Sequence, residues 1–448
     1  MSKLVHAQWS SKMGFVLAAT GSAVGLGNIW RFSYLVGDNG GAAFVLVYLA
    51  CVAVVGLPVL VAEWLIGRRG QKNPINAMSE LASKNGHPKA WALVGASGVV
   101  AAFLILSFYS VIGGWSLSYT LGSVIGTFTG QDADGVAATF DGLLGNPGLL
   151  LLWHTAFMVL VVWIVARGVT KGLESAARIM MPALVVLLLV LVGYGMTTGY
   201  FGETLAFMFR PDWSALSGDV VLAAMGQAFF TLSLGMGIMM AYGSYLGEDV
   251  KLLGTARTVI ILDTGIALLA GLAIFPIVFA NGLSASEGPG LIFVTLPLAF
   301  GNMTGGALLG LTFFLLLTFA ALTSAISLLE PVVEFVEERT PFSRVMATLA
   351  GGMAVWVLGI AALMSFNIWP VPIMFGLNVF DFLDTFTSRI LLPLTGLGAI
   401  VFVAWCLDRR SVADELNLSG GSEQLWHIVG RYVAPLGVLL VFINSLMG

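Results

Sequence analysis

The chain has 448 residues, of which 58% are hydrophobic and only 10% charged, with a mean hydropathy of +0.95. A soluble chain of this length carries far more charge, so this is the composition of a polytopic membrane protein. The net charge of −4 is spread over short connections with no basic stripe for nucleic acid; Cys51 and Cys406 fall in apolar segments, which argues against a structural disulfide, and four scattered histidines offer no metal-ligand spacing.

Apolar stretches of about 20 residues, enough to cross a bilayer, predict eleven spans near 11–37, 42–67, 91–124, 148–166, 177–199, 221–246, 256–282, 305–337, 344–365, 379–406 and 426–447. The first follows a short polar start without a small-residue cleavage site, which argues against a removable signal peptide. Its middle is ill suited to a continuous helix. Gly21-Ser22-Ala23-Val24-Gly25-Leu26-Gly27-Asn28 puts three glycines and an amide at membrane depth, with Arg31 one turn later. Each glycine costs about 1 kcal/mol of helix stability relative to alanine. In lipid, a broken helix survives only where protein or a water-filled cavity surrounds the freed backbone. Span 2 carries an intramembrane acid, Glu63, which reads either as functional or as a paired structural carboxylate.

Span 6 is the second unusual one. It carries Gln227 near its start, and its centre, Thr231-Leu232-Ser233-Leu234-Gly235-Met236-Gly237, again mixes hydroxyls and glycines. Small residues can merely let helices pack closely. Two interrupted spans at corresponding places in two halves instead point to a transporter's binding site. Five spans precede the second break, so the second half starts from the opposite face, which makes a 5+5 inverted repeat: residues 1–200, then 201–410, with an additional span in 411–448. Unwound carbonyls coordinate cations, and half-helix N-termini present free N–H groups to anions. A zwitterion beside Na⁺, such as an amino acid, suits both.

Basic residues set the orientation. With the N-terminus cytoplasmic, seventeen of the 20 lysines and arginines lie inside, and only Arg31, Arg210 and Arg389 lie on the outer side. That positive-inside bias places a multi-pass protein in the plasma (inner) membrane with its C-terminus outside.

The motifs GSAVGLGNIWRF, DNGG at 38–41, GRRGQKNPI at 67–75, FFTLSLGMG at 229–237, EGPGLIFVTLP at 287–297 and ALTSAISLLEP at 321–331 resemble the neurotransmitter:sodium symporter family along the whole chain. The layout is most similar to the bacterial amino-acid branch, of the multi-substrate hydrophobic amino-acid type. The resemblance implies two Na⁺ sites. The first would use the Ala23 carbonyl, Asn28, Thr231 and Asp263, completed by the substrate carboxylate; oxygen ligands suit a hard cation. The second would use carbonyls of Gly21, Val24 and Ala320 and the hydroxyls of Thr323 and Ser324, although such hydroxyls commonly bond back to their own helix. The substrate carboxylate would meet the Leu26 and Gly27 amides and Tyr109. Its ammonium would meet carbonyls of Ala23, Phe230 and Thr231, with Ser233 nearby. Tyr109 and Phe230 would close over it, unless they are core or lipid-facing aromatics.

Three departures from the family pattern bear on mechanism. Gly25 stands where monoamine transporters carry Asp, so the substrate should bring its own carboxylate. Ala267 stands where chloride-dependent members place Ser and some bacterial members Glu. Tyr48, Gln227 and Thr231 are retained, but Asp263 replaces a frequent Asn and already balances the sodium; two anions this close would repel, so no chloride requirement is expected. At the cytoplasmic gate, His6 replaces Arg before Trp9, with Glu338 as its expected partner and Tyr245 alongside. His6 reads either as a pH-sensitive latch or as a solvated residue. Outside, Arg31 would pair with Asp384, or alternatively Asp381. Ser33, where proline is common, has no functional account.

The side-chain pocket would be lined by Ile105, Phe230, Met236, Ala325 and Leu328. This lining penalises charge, and Met236 repacks readily, which favours large aliphatic or aromatic amino acids. No span offers a nucleophile–base pair, so the chain reads as a transporter and not an enzyme. The alternatives are a carrier of another small zwitterion, such as an osmolyte or β-amino acid, and a receptor that binds without transport. Bilayer lipid is its other expected partner, and the sequence sets no oligomeric state.

Overall fold

The computed structural model describes residues 8–283, 290–373 and 375–447. Among the described residues, nine helices are long and apolar enough to cross a bilayer: Ala42–Gly70, Lys89–Val124, Pro147–Val165, Val169–Gly195, Leu252–Ala280, Gly306–Arg339, Arg344–Met364, Val379–Cys406 and Gly421–Leu446. A further span is bent, its halves Lys12–Ala23 and Gly27–Asp38 meeting at 54°. Another is split into Gly218–Thr231 and Ile238–Ser244, each half too short to cross alone. In chain order these are spans 1 to 11, with the bent one first and the split one sixth.

Local chemistry explains the helix starts. Ser11, Asn146, Ser217 and Ser343 each turn a side-chain oxygen back onto a free amide at the head of spans 1, 4, 6 and 9. Pro147 occupies the first turn of span 4, where its missing N–H costs nothing. Span 10, expected at 379–406, forms over Val379–Cys406. Span 5 departs from expectation. It begins before 177, because Val169–Glu174 winds as a wide turn directly after Gly168, whose φ of +85° ends the preceding segment. The polar residues of that turn hide it from a hydropathy reading.

Shorter helices Pro74–Lys84, Ala133–Leu144 and Phe201–Phe209 join the spans, and the apolar Leu291–Asn302 is too short to cross. Span 8 is the most enclosed, with 83% of its apolar window buried. The inner half of span 6 lies directly on span 2. A side chain on Gly243 would come within 2.6 Å of the Trp64 carbonyl, and one on Gly67 would meet the Met240 carbonyl. Here glycine serves close packing. At the two breaks it serves something else.

Candidate ion and substrate site

The helix of span 1 ends at Ala23, and Val24 takes an extended conformation with φ −75° and ψ 100°. The Gly25 amide, freed by that break, donates to Asn28 Oδ1 at 3.1 Å. In span 6 the helix stops at Thr231, and Ser233, Gly235 and Gly237 have φ of 53°, 78° and 68° before it resumes at Ile238. The Gly235 amide donates to Glu63 Oε1 at 2.8 Å. The intramembrane acid of span 2 is thus the clasp of the second break, and its other oxygen has no protein partner among the described residues.

Between the breaks lies the expected first sodium site. Asp263 is completely buried, receives the Asn28 amide at 2.7 Å and the Thr231 hydroxyl at 3.1 Å, and pairs with no cationic side chain among the described residues. A desolvated carboxylate without a cation is strongly unfavourable, and these three residues supply oxygens. Asn28 Oδ1 keeps a lone pair beyond the one facing Gly25. Gln227 donates to the Gly27 carbonyl at 2.8 Å and steadies the same turn.

Of the second set, Thr323 lies 3.4 Å from the Val24 carbonyl and 3.0 Å from that of Ala320, while also bonding back to Phe319 at 3.1 Å. Gly21 faces Thr323 as well, since a side chain there would touch Thr323 Cβ at 3.4 Å. Ser324 turns instead to the Ser22 carbonyl, at 3.1 Å. Ser233 donates to that same carbonyl at 2.9 Å.

Above these oxygens is a cavity of about 30 Å³ lined by Ala23, Gly25, Leu26, Gly27, Ile105, Tyr109, Phe230, Ser233, Met236 and Leu328, all expected substrate contacts. Thr231 and Ala325 are not on its wall: Thr231 is turned to Asp263, and Ala325 is fully buried. Ser22, Ile238 and Ser324 line it, and of these Ser22 and Ile238 had no expected role. The Tyr109 hydroxyl accepts the Leu26 amide at 3.4 Å. A side chain at Gly25 would collide with the Ser324 hydroxyl and approach that of Tyr109 to 3.1 Å.

Leu26, Gly27, Tyr109 and Phe230 also form the floor of a cavity of about 300 Å³, whose walls include Trp30, Arg31, Phe108, Asp381 and Asp384. The Arg31 guanidinium lies 4.6 Å from the Phe230 ring centre, and no ion pair joins it to Asp384 or Asp381. The two expected partners thus face one vestibule without closing it. The opposite end is packed. The Trp9 indole donates to the Tyr242 carbonyl at 3.1 Å, and its backbone amide to the Tyr245 carbonyl at 3.3 Å. Tyr245 donates its hydroxyl to Glu330 at 2.7 Å, and Glu330 is paired with Arg344. Glu338, the expected gate acid, accepts from the Asn73 backbone at 2.7 Å and the Asn76 side chain at 2.8 Å. His6 lies outside the described residues. Sequence reading also missed Glu174 and Arg178 of span 5, which grip Ser10 and Ser11 beside Trp9.

The sequence profile of the sodium:neurotransmitter symporter family matches residues 6–139 and 134–448. The chain belongs to that family. It is 37% identical to the uncharacterised sodium-dependent transporter YhdH of Bacillus subtilis, over 99% of this chain and 98% of the relative. A sodium-dependent transporter of Haemophilus influenzae is 34% identical over 98% of each chain. The structure is similar to that of MhsT in complex with L-phenylalanine, with a TM-score of 0.90 and 47% identity over 98% of this chain and 99% of MhsT. The chain is therefore a sodium-dependent symporter and not an enzyme. Its fold is the inverted repeat with broken first and sixth spans and one span added.

Proposed function

We propose that this symporter imports hydrophobic L-amino acids, large aliphatic or aromatic, together with Na⁺ at two sites and without chloride. The observation that carries the reading is the wall of the central cavity. Ile105, Phe230, Met236 and Leu328 present apolar surface, while the broken turn of span 1 presents amides and Gly25 contributes no carboxylate. A ligand recognised there brings its own carboxylate to the Leu26 and Gly27 amides and the Tyr109 hydroxyl. Its ammonium goes toward Ser233 and the carbonyls of Ala23, Phe230 and Thr231. The close likeness to MhsT, whose structure is a complex with L-phenylalanine, supports the same substrate class.

Asn28, Thr231 and Asp263, with the Ala23 carbonyl, hold the first Na⁺. Gly21, Val24, Ala320, Thr323 and Ser324 hold the second. The Asp263 charge takes the place of a bound anion, which supports chloride independence. The inverted repeats are residues 1–200 and 201–410, with 411–448 outside them; one bundle rocks against the rest, in a plasma membrane with the N-terminus inside. An open vestibule around Arg31 and Asp384 and a packed seal around Trp9 fit a state open to the outside. Each Na⁺ moving through about 100 mV contributes about 2.3 kcal/mol, so two ions support roughly thousandfold accumulation of a neutral zwitterion.

The test is uptake of labelled leucine and tryptophan into proteoliposomes under an inward Na⁺ gradient, then with K⁺ replacing Na⁺. Accumulation only with Na⁺ is expected. Binding without accumulation indicates a receptor, and no response to either amino acid overturns the substrate class.

A further inference from the structure

Where spans 10 and 11 meet, an arginine sits without an acid. The Arg431 guanidinium lies 3.9 Å from the centre of the Trp405 ring and 5.9 Å from that of Tyr432. Its Nη1 faces His427 at 3.4 Å, its Nε is buried without a hydrogen-bond partner, and no carboxylate pairs with it among the described residues. The Trp405 indole donates to the Arg431 carbonyl at 3.2 Å, which fixes the ring beneath the charge. Glu423, which lines the same crevice as His427, is already paired with Arg409 at 2.8 Å.

An arginine within a span normally pairs with an acid or reaches water. This one is held against aromatic faces, and its Nη2 has no protein partner among the described residues. Trp405 and Tyr432 are 50% and 55% exposed, on the flank of the bundle. Trp405 immediately precedes the end of span 10 at Cys406, so the cluster sits at the level where tryptophan and tyrosine meet headgroups. Between the same two spans runs a crevice lined by Ile400, Val403 and Gly430.

We propose that Arg431, with His427 and Arg409 beside it, binds the phosphate of an anionic phospholipid, its glycerol and upper acyl chains lying against Trp405 and Tyr432. Charge complementarity is the argument. The guanidinium fork matches phosphate oxygens, and basic pockets between spans recognise anionic headgroups. This assignment goes beyond the transport reading and is independent of the substrate. Under the orientation above, the lipid belongs to the inner leaflet.

The experiment reconstitutes the full chain into nanodiscs of equimolar phosphatidylglycerol and phosphatidylcholine, then measures by mass spectrometry the lipid that survives mild detergent extraction. The wild type is expected to retain phosphatidylglycerol selectively. Arg431→Gln should lower that preference about fivefold, and Arg431→Lys should fall between. Brominated phosphatidylglycerol, but not brominated phosphatidylcholine, should quench the fluorescence that Trp405→Phe removes. This second readout is made on a chain with Arg431 intact, so it stands even if Arg431→Gln fails to fold. Equal retention of both lipids by the wild type, or an unchanged preference in folded Arg431→Gln, overturns the proposal. So does displacement of the quenching lipid by soluble glycerol phosphate at comparable concentration, which would assign the site to a free anion.

Discussion

Glu63 and Gly235 are joined by a 2.8 Å hydrogen bond from the glycine amide to the carboxyl oxygen, so an acid of span 2 holds the unwound turn of span 6 in shape. Glu63→Ala leaves that buried amide unsatisfied, which costs about 1–3 kcal/mol. A lowered unfolding temperature and weakened amino-acid binding are expected. Glu63→Gln keeps an acceptor oxygen and should retain most of both. Thermal unfolding and scintillation proximity binding on the two variants check this, and equal damage from both would show that charge matters more than the acceptor.

Asp263 provides the sharpest test of charge balance. Replacing it with Asn leaves the Asn28 and Thr231 oxygens in place but removes the negative charge. Asp263→Asn should make uptake depend on chloride, read as the ratio of rates in chloride and in gluconate. Chloride-free transport at the wild-type rate would count against the idea.

Gly25 has no room for a side chain, because Ser324 and Tyr109 stand against it. Overpacking of this kind costs about 1–3 kcal/mol, so Gly25→Ala should weaken amino-acid binding by roughly ten- to a hundredfold. Gly25→Asp should abolish it, since a second carboxylate would face that of the substrate. Competition binding with leucine reads both.

Thr323 faces carbonyls of spans 1 and 8. Thr323→Ala should raise the Na⁺ concentration needed for half-maximal binding and lower the Hill coefficient toward one. Thr323→Ser should preserve both. A Na⁺ titration of substrate binding decides the matter, and an unaltered Hill coefficient in Thr323→Ala would remove this residue from the ion sites.

The two breaks were legible because glycines and amides at membrane depth contradict helix propensity. Asn28, Thr231 and Asp263 were likewise legible through motif, and the structure brings them together. The acid that meets Tyr245 was not. Glu330, Glu334, Glu337 and Glu338 recur along one face of span 8 at helical spacing, so each offers Tyr245 a partner. Which one meets it depends on how deep the inner half of span 6 ends, at Ser244, and that depth is set by packing on span 2. Ser233 was expected near the ammonium. Its positive φ and its bond to the Ser22 carbonyl follow from the geometry of the turn, which spacing does not encode.

The contact of Gly67 with the Met240 carbonyl, and of Gly243 with Trp64, has a mechanical meaning. With no side chains to act as a compliant layer, two backbones in direct touch transmit displacement without slack. The inner half of span 6 is therefore one lever with span 2, and its fulcrum is the clasped turn at Gly235. A spin label at Lys72, exposed just beyond the inner end of span 2, would report movement at the floor of the substrate cavity without being placed inside it.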